Sequence, residues 1–167
     1  MLAITEIKSV RVSPVDDSDY FPLLKSMIAE CSHRLLCSLF IIDIVPRAVR
    51  HSYVDELLCL IKAAHLRGID ARIIVSGSNT SLAILGTSAV AVKRIGQLGI
   101  PVRWAAKYKN PSHAKLVICD NNVLIGSHNW SYNAFFASVQ DSVIVYSEQL
   151  ASVMATEFDQ NWSKYEQ

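Results

Sequence analysis

The segment that decides the fold of this 167-residue chain is HAKLVICDNNVLIGSHN, residues 113–129. It contains two apolar runs, 116–119 and 123–125, separated by one aspartate and two asparagines. Aspartate and asparagine tolerate left-handed backbone, so a short polar stretch between two apolar runs is typical of a β-hairpin. The segment therefore predicts two antiparallel strands joined by a tight turn.

The register of this hairpin determines which polar side chains share a face. A three-residue loop over 121–123 places Lys115 opposite Asn129, and His113 and Ser127 then point to the same side. An imidazole, an ammonium, a hydroxyl and an amide would there surround one oxyanion. A two-residue loop would shift the register by one and break the constellation. We therefore expect the three-residue loop.

The order of these polar residues resembles the signature of the phospholipase D superfamily, His-x-Lys-x4-Asp-x6-Gly-Ser-x-Asn. The matching residues are His113, Lys115, Asp120, Gly126, Ser127 and Asn129. Five residues instead of six separate Asp120 from Gly126, which we interpret as a turn shortened by one. The chain has one copy of the motif, as in single-motif members of the superfamily that are similar to the bacterial endonuclease Nuc and to Zucchini-type proteins.

The resemblance implies phosphodiester cleavage through a covalent phosphohistidine, with no metal or other cofactor. His113 would be the nucleophile, and Lys115 and Asn129 would bind the phosphate oxygens. The second histidine, the general acid and base, would be His113 of another subunit, which implies a homodimer with one composite site. Asp120, Gly126 and Ser127 would support the motif.

A glutamate that orients the histidine follows the motif in relatives, and here Gln140 stands at the matching place. Its carbonyl oxygen can still accept a hydrogen bond from imidazole, but it lacks the charge that stabilises an imidazolium. Gln140 could equally be an ordinary polar residue at a strand edge.

Strand-like and helix-like patterns alternate along the chain, which is 51% apolar and 19% charged. The predicted strands are 7–12, 35–45, 71–75, 100–104, 113–119, 123–127 and 140–145. The predicted helices are 20–31, 54–66, 81–98, 131–137 and 147–162. This order predicts an α/β protein, a mixed β-sheet flanked by helices on both faces (a phospholipase D-like sandwich), in a single domain over 1–167.

Charge is distributed unevenly despite a net charge of only +1. The stretch 71–119 holds seven basic residues and no acidic one, so it carries +7, and the remainder, with nine basic and fifteen acidic residues, carries −6. Such a stretch attracts polyanions. Arg103, Lys107 and Lys109 are the candidates for substrate binding, and DNA or RNA is the expected partner.

Several features argue against a metal-binding, a disulfide-bonded or a membrane-inserted protein. The four cysteines and five histidines show no zinc-ligand spacing, so no metal site is expected. The cysteines are expected to be reduced thiols in a cytoplasmic protein. No apolar run is long enough for stable membrane insertion, and the first residues lack the pattern of a signal peptide.

Three functions stay open. An endonuclease with little sequence preference fits the basic stretch, and it would cleave DNA or RNA in the presence of a chelator. A lipid phosphodiesterase would instead turn over phosphatidyl substrates and would need an apolar entrance. A catalytically inactive dimeric nucleic-acid-binding scaffold would bind without turnover, and Gln140 is its best support.

Overall fold

A computed structural model describes residues 6–8, 10–44, 52–77, 81–105 and 112–165. Its centre is one seven-stranded sheet with the strand order β1-β7-β6-β5-β2-β3-β4. The strands are β1 (Arg11–Val15), β2 (Arg34–Leu39), β3 (Asp70–Val75), β4 (Val102–Trp104), β5 (Lys115–Cys119), β6 (Asn122–Gly126) and β7 (Ser142–Tyr146). The helices are α1 (Asp17–Glu30), α2 (Tyr53–Leu66), α3 (Leu82–Gln97), α4 (Tyr132–Phe136) and α5 (Glu148–Lys164).

The sheet is mixed and is covered on both faces, which confirms the predicted fold class. β2, β3 and β4 are parallel, whereas β5, β6, β7 and β1 pair antiparallel with their neighbours. One apolar core lies between the sheet and α1 to α4, and a second lies between the sheet and α5. The central strands β2 and β5 are apolar along nearly their whole length because both of their faces are buried.

The largest differences from the predicted strand bounds occur in the first two strands, and the other five strands differ by one or two residues. The first strand was expected at 7–12 but spans 11–15, where Pro14 is tolerated because β1 is an edge strand. The second was expected to run to residue 45 but ends at Leu39. Beyond it, Ile42 forms an isolated parallel bridge with Trp130, so that part of the apolar run pairs with a different segment.

The predicted hairpin register is wrong. Cys119 pairs with Asn122 and Leu116 pairs with Ile125, so the loop contains only Asp120 and Asn121. Asp120 adopts a left-handed backbone with φ of 51°, which makes the two-residue turn possible. The proposed face-to-face pairing of Lys115 with Asn129 therefore does not occur, and the polar groups must meet in another way.

Candidate active site

Lys115 begins β5 at the end of the sheet where Leu39 ends β2, and these two residues are register partners. Lys115 is only 8% exposed, an unusual burial for an ammonium group. His113 lies just before the strand and is exposed. The strand end therefore presents an accessible imidazole beside a buried cation.

The two side chains are in direct contact. Lys115 Nζ lies 3.1 Å from His113 Nδ1 and also donates a hydrogen bond of 2.8 Å to the His113 carbonyl. The Phe40 ring packs against both groups, with a centroid distance of 4.2 Å to the imidazole and 4.8 Å to Lys115 Nζ. Phe40 thus restricts the position of both groups. This role was not predicted, because Phe40 is distant in sequence from His113 and Lys115.

Electrostatics favour a neutral imidazole at this place. Burial and the Lys115 charge both lower the pKa of His113, and burial lowers the pKa of Lys115. An ammonium group only donates, so the ring nitrogen that faces it must carry a lone pair. The lone pair on this nitrogen becomes free to attack a phosphodiester only when Lys115 turns its donor to a phosphate oxygen, so the pair combines a potential nucleophile with positive charge beside it.

Asp120 stands at the other end of β5 and anchors the hairpin. Its carboxylate accepts hydrogen bonds from the backbone amides of Ser32, His33 and Arg34 at 2.8–3.0 Å, and from the Ser32 hydroxyl. These donors lower its pKa to about 2 despite partial burial. Asp120 therefore ties the β5–β6 turn to the start of β2, far from His113.

Gly126 is required by close packing. A Cβ atom built on Gly126 would lie 2.1 Å from Ser142 Oγ and 2.3 Å from the Asp141 carbonyl oxygen. Gly126 and Ser142 are register partners across β6 and β7. Only glycine lets the two strands approach so closely at this point.

Ser127 and Gln140 interact with each other. The Ser127 hydroxyl donates a hydrogen bond of 2.6 Å to Gln140 Oε1 and accepts one from the Asp141 amide. No hydrogen bond joins Gln140 to His113, although both residues are described. Within one chain, Gln140 thus positions Ser127 and the segment that follows it.

Asn129 reaches the site region by a crossing of the chain. The Phe40 amide donates a hydrogen bond to the Ala114 carbonyl oxygen. The next residue, Ile41, no longer pairs with that segment, and its carbonyl oxygen accepts a hydrogen bond of 3.0 Å from the Trp130 amide. The segment after β6 therefore crosses the end of β5 and brings Asn129 to the same end of the sheet as His113. Asn129 Oδ1 is buried and has no hydrogen-bond partner among the described residues.

His128, the neighbour of Asn129, belongs to the core. Its ring is fully buried and stacks on Tyr20 with a centroid distance of 3.9 Å. His128 Nδ1 lies 2.7 Å from Ser142 Oγ, and burial lowers the pKa of the imidazole. His128 therefore stabilises the segment between β6 and α4.

The basic stretch is partly neutralised by acids from elsewhere in the chain. Arg72 forms ion pairs with Asp70 and Asp159, and Arg94 pairs with Asp55. Other basic residues of the stretch differ: Arg103 packs over the Trp162 ring at 5.2 Å, and its Nε is buried without a hydrogen-bond partner among the described residues. Lys107 and Lys109 lie outside the described residues.

One group of potential metal ligands occurs within the described ranges, formed by Cys31, Cys119 and Asp120. It does not suit a metal, because both Asp120 oxygens already accept backbone hydrogen bonds and both thiols bind carbonyl oxygens. All four cysteines are free thiols.

A cavity of about 230 Å³ opens beside His113, between the sheet and the second half of α5. Residues 112–115 and Ser38 are among those that line it. A small polar residue inside the apolar run of β2 was the sequence signal for this space, and the sequence analysis missed it.

Comparison with protein families gives one match. The family described as "Cardiolipin synthase, PLD-like domain" matches residues 24–162, which is most of the chain. Comparison with curated proteins gives no match.

Comparison with solved structures gives similar folds at low sequence identity. Nuc from Salmonella typhimurium, a phospholipase D family member, superposes with a TM-score of 0.72 at 22% identity, covering 95% of this chain and 96% of that one. NucT from Helicobacter pylori gives 0.71 at 17% identity, with 94% and 98% covered. Phosphatidylserine synthase from Haemophilus influenzae gives 0.64 at 14% identity, with 95% of this chain but 39% of that one covered.

Proposed function

Because the chain belongs to the phospholipase D-like family, we propose that it is a phosphodiesterase, specifically an endonuclease that cleaves DNA or RNA with little sequence preference. The observation that carries the proposal is the exposed His113 imidazole in contact with the buried Lys115 ammonium. The imidazole supplies a nucleophile that substrate can reach. The ammonium supplies charge whose position is fixed by burial and by Phe40.

The proposed reaction has two displacement steps. In the first, a nitrogen of the neutral His113 ring forms a bond to phosphorus while the bond from phosphorus to the leaving oxygen breaks, and an imidazolium protonates that oxygen. In the second step, the imidazole that acted as the acid is now neutral and takes a proton from water. The water oxygen forms a bond to phosphorus while the bond from phosphorus to His113 breaks. Lys115 stabilises the non-bridging oxygens throughout, and Asn129 adds an amide donor.

The second imidazole is His113 of another copy of this chain. The motif occurs once in the sequence, and His113 is exposed at the end of the sheet rather than enclosed by its own chain. A two-fold axis near this edge would place two His113–Lys115 pairs around one phosphorus atom. We therefore propose a homodimer with one composite site, in which the monomer is inactive.

Two kinds of observation support nucleic acid as the substrate. Lys115 at the site and Arg103 on the edge strand β4, both from the acid-free stretch, form no ion pair with an acidic residue in the described part of the chain. In addition, the similar structures include Nuc, NucT and TrmBL2, an archaeal chromatin protein that binds DNA, although this chain covers only 55% of the latter. Contacts to phosphate alone would give little sequence preference.

A lipid phosphodiesterase is the second candidate, because the description of the matching family names cardiolipin synthase and because a phosphatidylserine synthase shares the fold. None of the helices in the described ranges has both the length and the apolar character of a membrane span. Turnover of phosphatidyl substrates in vesicles, without cleavage of nucleic acid, would select this candidate.

The test is cleavage of labelled single- and double-stranded DNA and RNA in the presence of EDTA. Wild type should cleave, His113→Ala should lose activity, and acid quenching of wild type should trap a phosphorylated histidine. His33→Ala is the matched control, since His33 is also exposed but lies at the Asp120 end of the sheet. Nucleic-acid binding by wild type without any turnover would instead identify an inactive scaffold.

A further inference from the structure

The cavity beside His113 is built on a single row of residues across the sheet. Five register partners face α5, one from each of five adjacent strands. They are Ile125, Leu116, Ser38, Ile74 and Arg103. The first four line the cavity, and Arg103 extends the row beyond it.

Ser38 interrupts an otherwise apolar wall. It is 8% exposed, and its hydroxyl has no hydrogen-bond partner among the described residues. Ser38 lines the cavity, where its hydroxyl can donate a hydrogen bond to a ligand or accept one, whereas a ligand without polar groups would take the hydroxyl out of contact with water. The small side chain also leaves the space that a larger apolar residue would fill.

The opposite wall of the cavity is formed by α5 and contains both apolar and polar side chains. Met154 and Phe158 offer apolar surface, whereas Glu157 and Asn161 bring a carboxylate and an amide to the cavity. Their spacing of three and four residues places all of them on one side of the helix. The cavity therefore has apolar faces and polar groups at several points of its lining.

We infer that this cavity binds the base of a nucleotide next to the phosphodiester that His113 attacks. The inference rests on the proposed nuclease function and deepens it. A nucleobase is flat and apolar on its faces, and its edge carries donors and acceptors, which matches both kinds of lining. Residues 112–115 line the cavity at the end of the sheet where the His113–Lys115 pair lies, so a nucleic-acid strand that passes around this end could place a phosphate at His113 and an adjacent base in the cavity.

An acyl chain fits the same space less well. It offers no partner to Ser38, Glu157 or Asn161, and it would remove the Ser38 hydroxyl from water without compensation. The volume of about 230 Å³ suits one small ring rather than a long chain.

Glu157 gives the base site a preference. A carboxylate only accepts hydrogen bonds, and the exocyclic amines of cytosine and adenine are suitable donors, whereas thymine presents a carbonyl oxygen at that position. Phosphate contacts leave the rest of the strand with little sequence preference, but at this one position cytosine should be preferred to thymine.

The experiment places a single abasic residue at each position of a single-stranded oligonucleotide and measures cleavage at every phosphodiester. For wild type, an abasic residue at one fixed position relative to the cut should lower kcat/KM by roughly tenfold. Ser38→Leu, which fills the cavity, should cleave intact and abasic oligonucleotides at equal rates. Cleavage by wild type that is indifferent to abasic residues everywhere would overturn the inference and leave the proposed function standing.

A second pair of variants protects the test against misfolding of Ser38→Leu. Glu157→Ala should abolish the preference for cytosine over thymine, and Glu148→Ala, at the far end of α5, is the matched control that should retain it. Preserved discrimination in Glu157→Ala and in a folded Ser38→Leu would also overturn the inference. Wild type that is folded and dimeric but cleaves no oligonucleotide would overturn the proposed function itself. Turnover of phosphatidyl vesicles that Ser38→Leu abolishes would place an acyl chain in the cavity instead.

Discussion

The ammonium of Lys115 lies 3.1 Å from Nδ1 of His113, and its side chain is almost completely buried. The contact joins two residues of one strand end that point to the same side, so it follows from the spacing His-x-Lys itself. It also couples the protonation of the imidazole to the charge of the lysine.

Replacement of Lys115 should therefore change the titration of His113. The folded-state pKa of His113 is lowered by burial and by Lys115, so the ring stays neutral to below its ordinary value of about 6.5. In Lys115→Gln the positive charge is gone, and the pKa of His113 should rise toward 6.5. NMR titration of histidine-labelled protein measures this directly, by comparison of the variant with wild type. An unchanged His113 pKa would show that the contact has no electrostatic effect.

Mixing subunits should test the composite site. If each site needs His113 from both copies, a roughly tenfold excess of His113→Ala should capture almost all wild-type subunits in inactive heterodimers and lower activity roughly tenfold. The same excess of active His33→Ala protein should not inhibit. Activity that is unaffected by exchanged His113→Ala subunits would mean that one chain is sufficient for catalysis.

Gly126→Ala should destabilise the fold. The added methyl group would overlap Ser142 and the Asp141 carbonyl, and overpacking of this kind costs about 1–3 kcal/mol of unfolding free energy. Gly96→Ala is the matched control, because an added Cβ there meets nothing within 4 Å and an alanine in a helix should stabilise by about 0.5–1 kcal/mol. Urea unfolding of both variants measures the difference, and equal midpoints would contradict the packing argument.

Asp120→Asn should lower stability in a pH-dependent way. Asparagine keeps the left-handed backbone but loses the charge that three amides bind, which we expect to cost roughly 1–3 kcal/mol near neutral pH. The folded pKa of about 2 is below the ordinary 3.8, so the contribution of Asp120 is present above pH 4 and is lost as the pH falls toward 2. Unfolding curves of wild type and variant should thus converge in acid; a gap that is constant from pH 7 to pH 2 would exclude this origin.

The order and type of the elements could be predicted from local patterns, but their pairing could not. The periodicity of α3 gave its bounds within one residue, since an amphipathic helix carries its signal in its own residues. The predicted loop over 121–123 was wrong because asparagine is common in turns, and Asn122 was therefore placed in the loop. It joins the β-ladder because Asp120 turns the chain first, held by amides from 32–34 that are distant in sequence.

The same distinction applies to the site. His113 and Lys115 were placed correctly on one side because they are two residues apart on an extended chain. Phe40 and Ser38 could not be assigned, because they reach the site through the pairing of β2 with β5. The sequence left two interpretations of Gln140 open, orientation of the imidazole or an ordinary polar place at a strand edge; within one chain it binds Ser127, an interaction that depends on how β6 and β7 are joined.

The positions of the signature separate into two groups with different physical origins. Asp120 binds backbone amides and Gly126 permits a close approach of two strands, whereas His113 and Lys115 are the residues that we propose contact substrate. A descendant of this chain that does not cleave phosphodiesters could thus replace the histidine and the lysine of the motif. Folding would still require the aspartate and the glycine. Such a half-preserved signature would mark a protein that inherited the architecture alone.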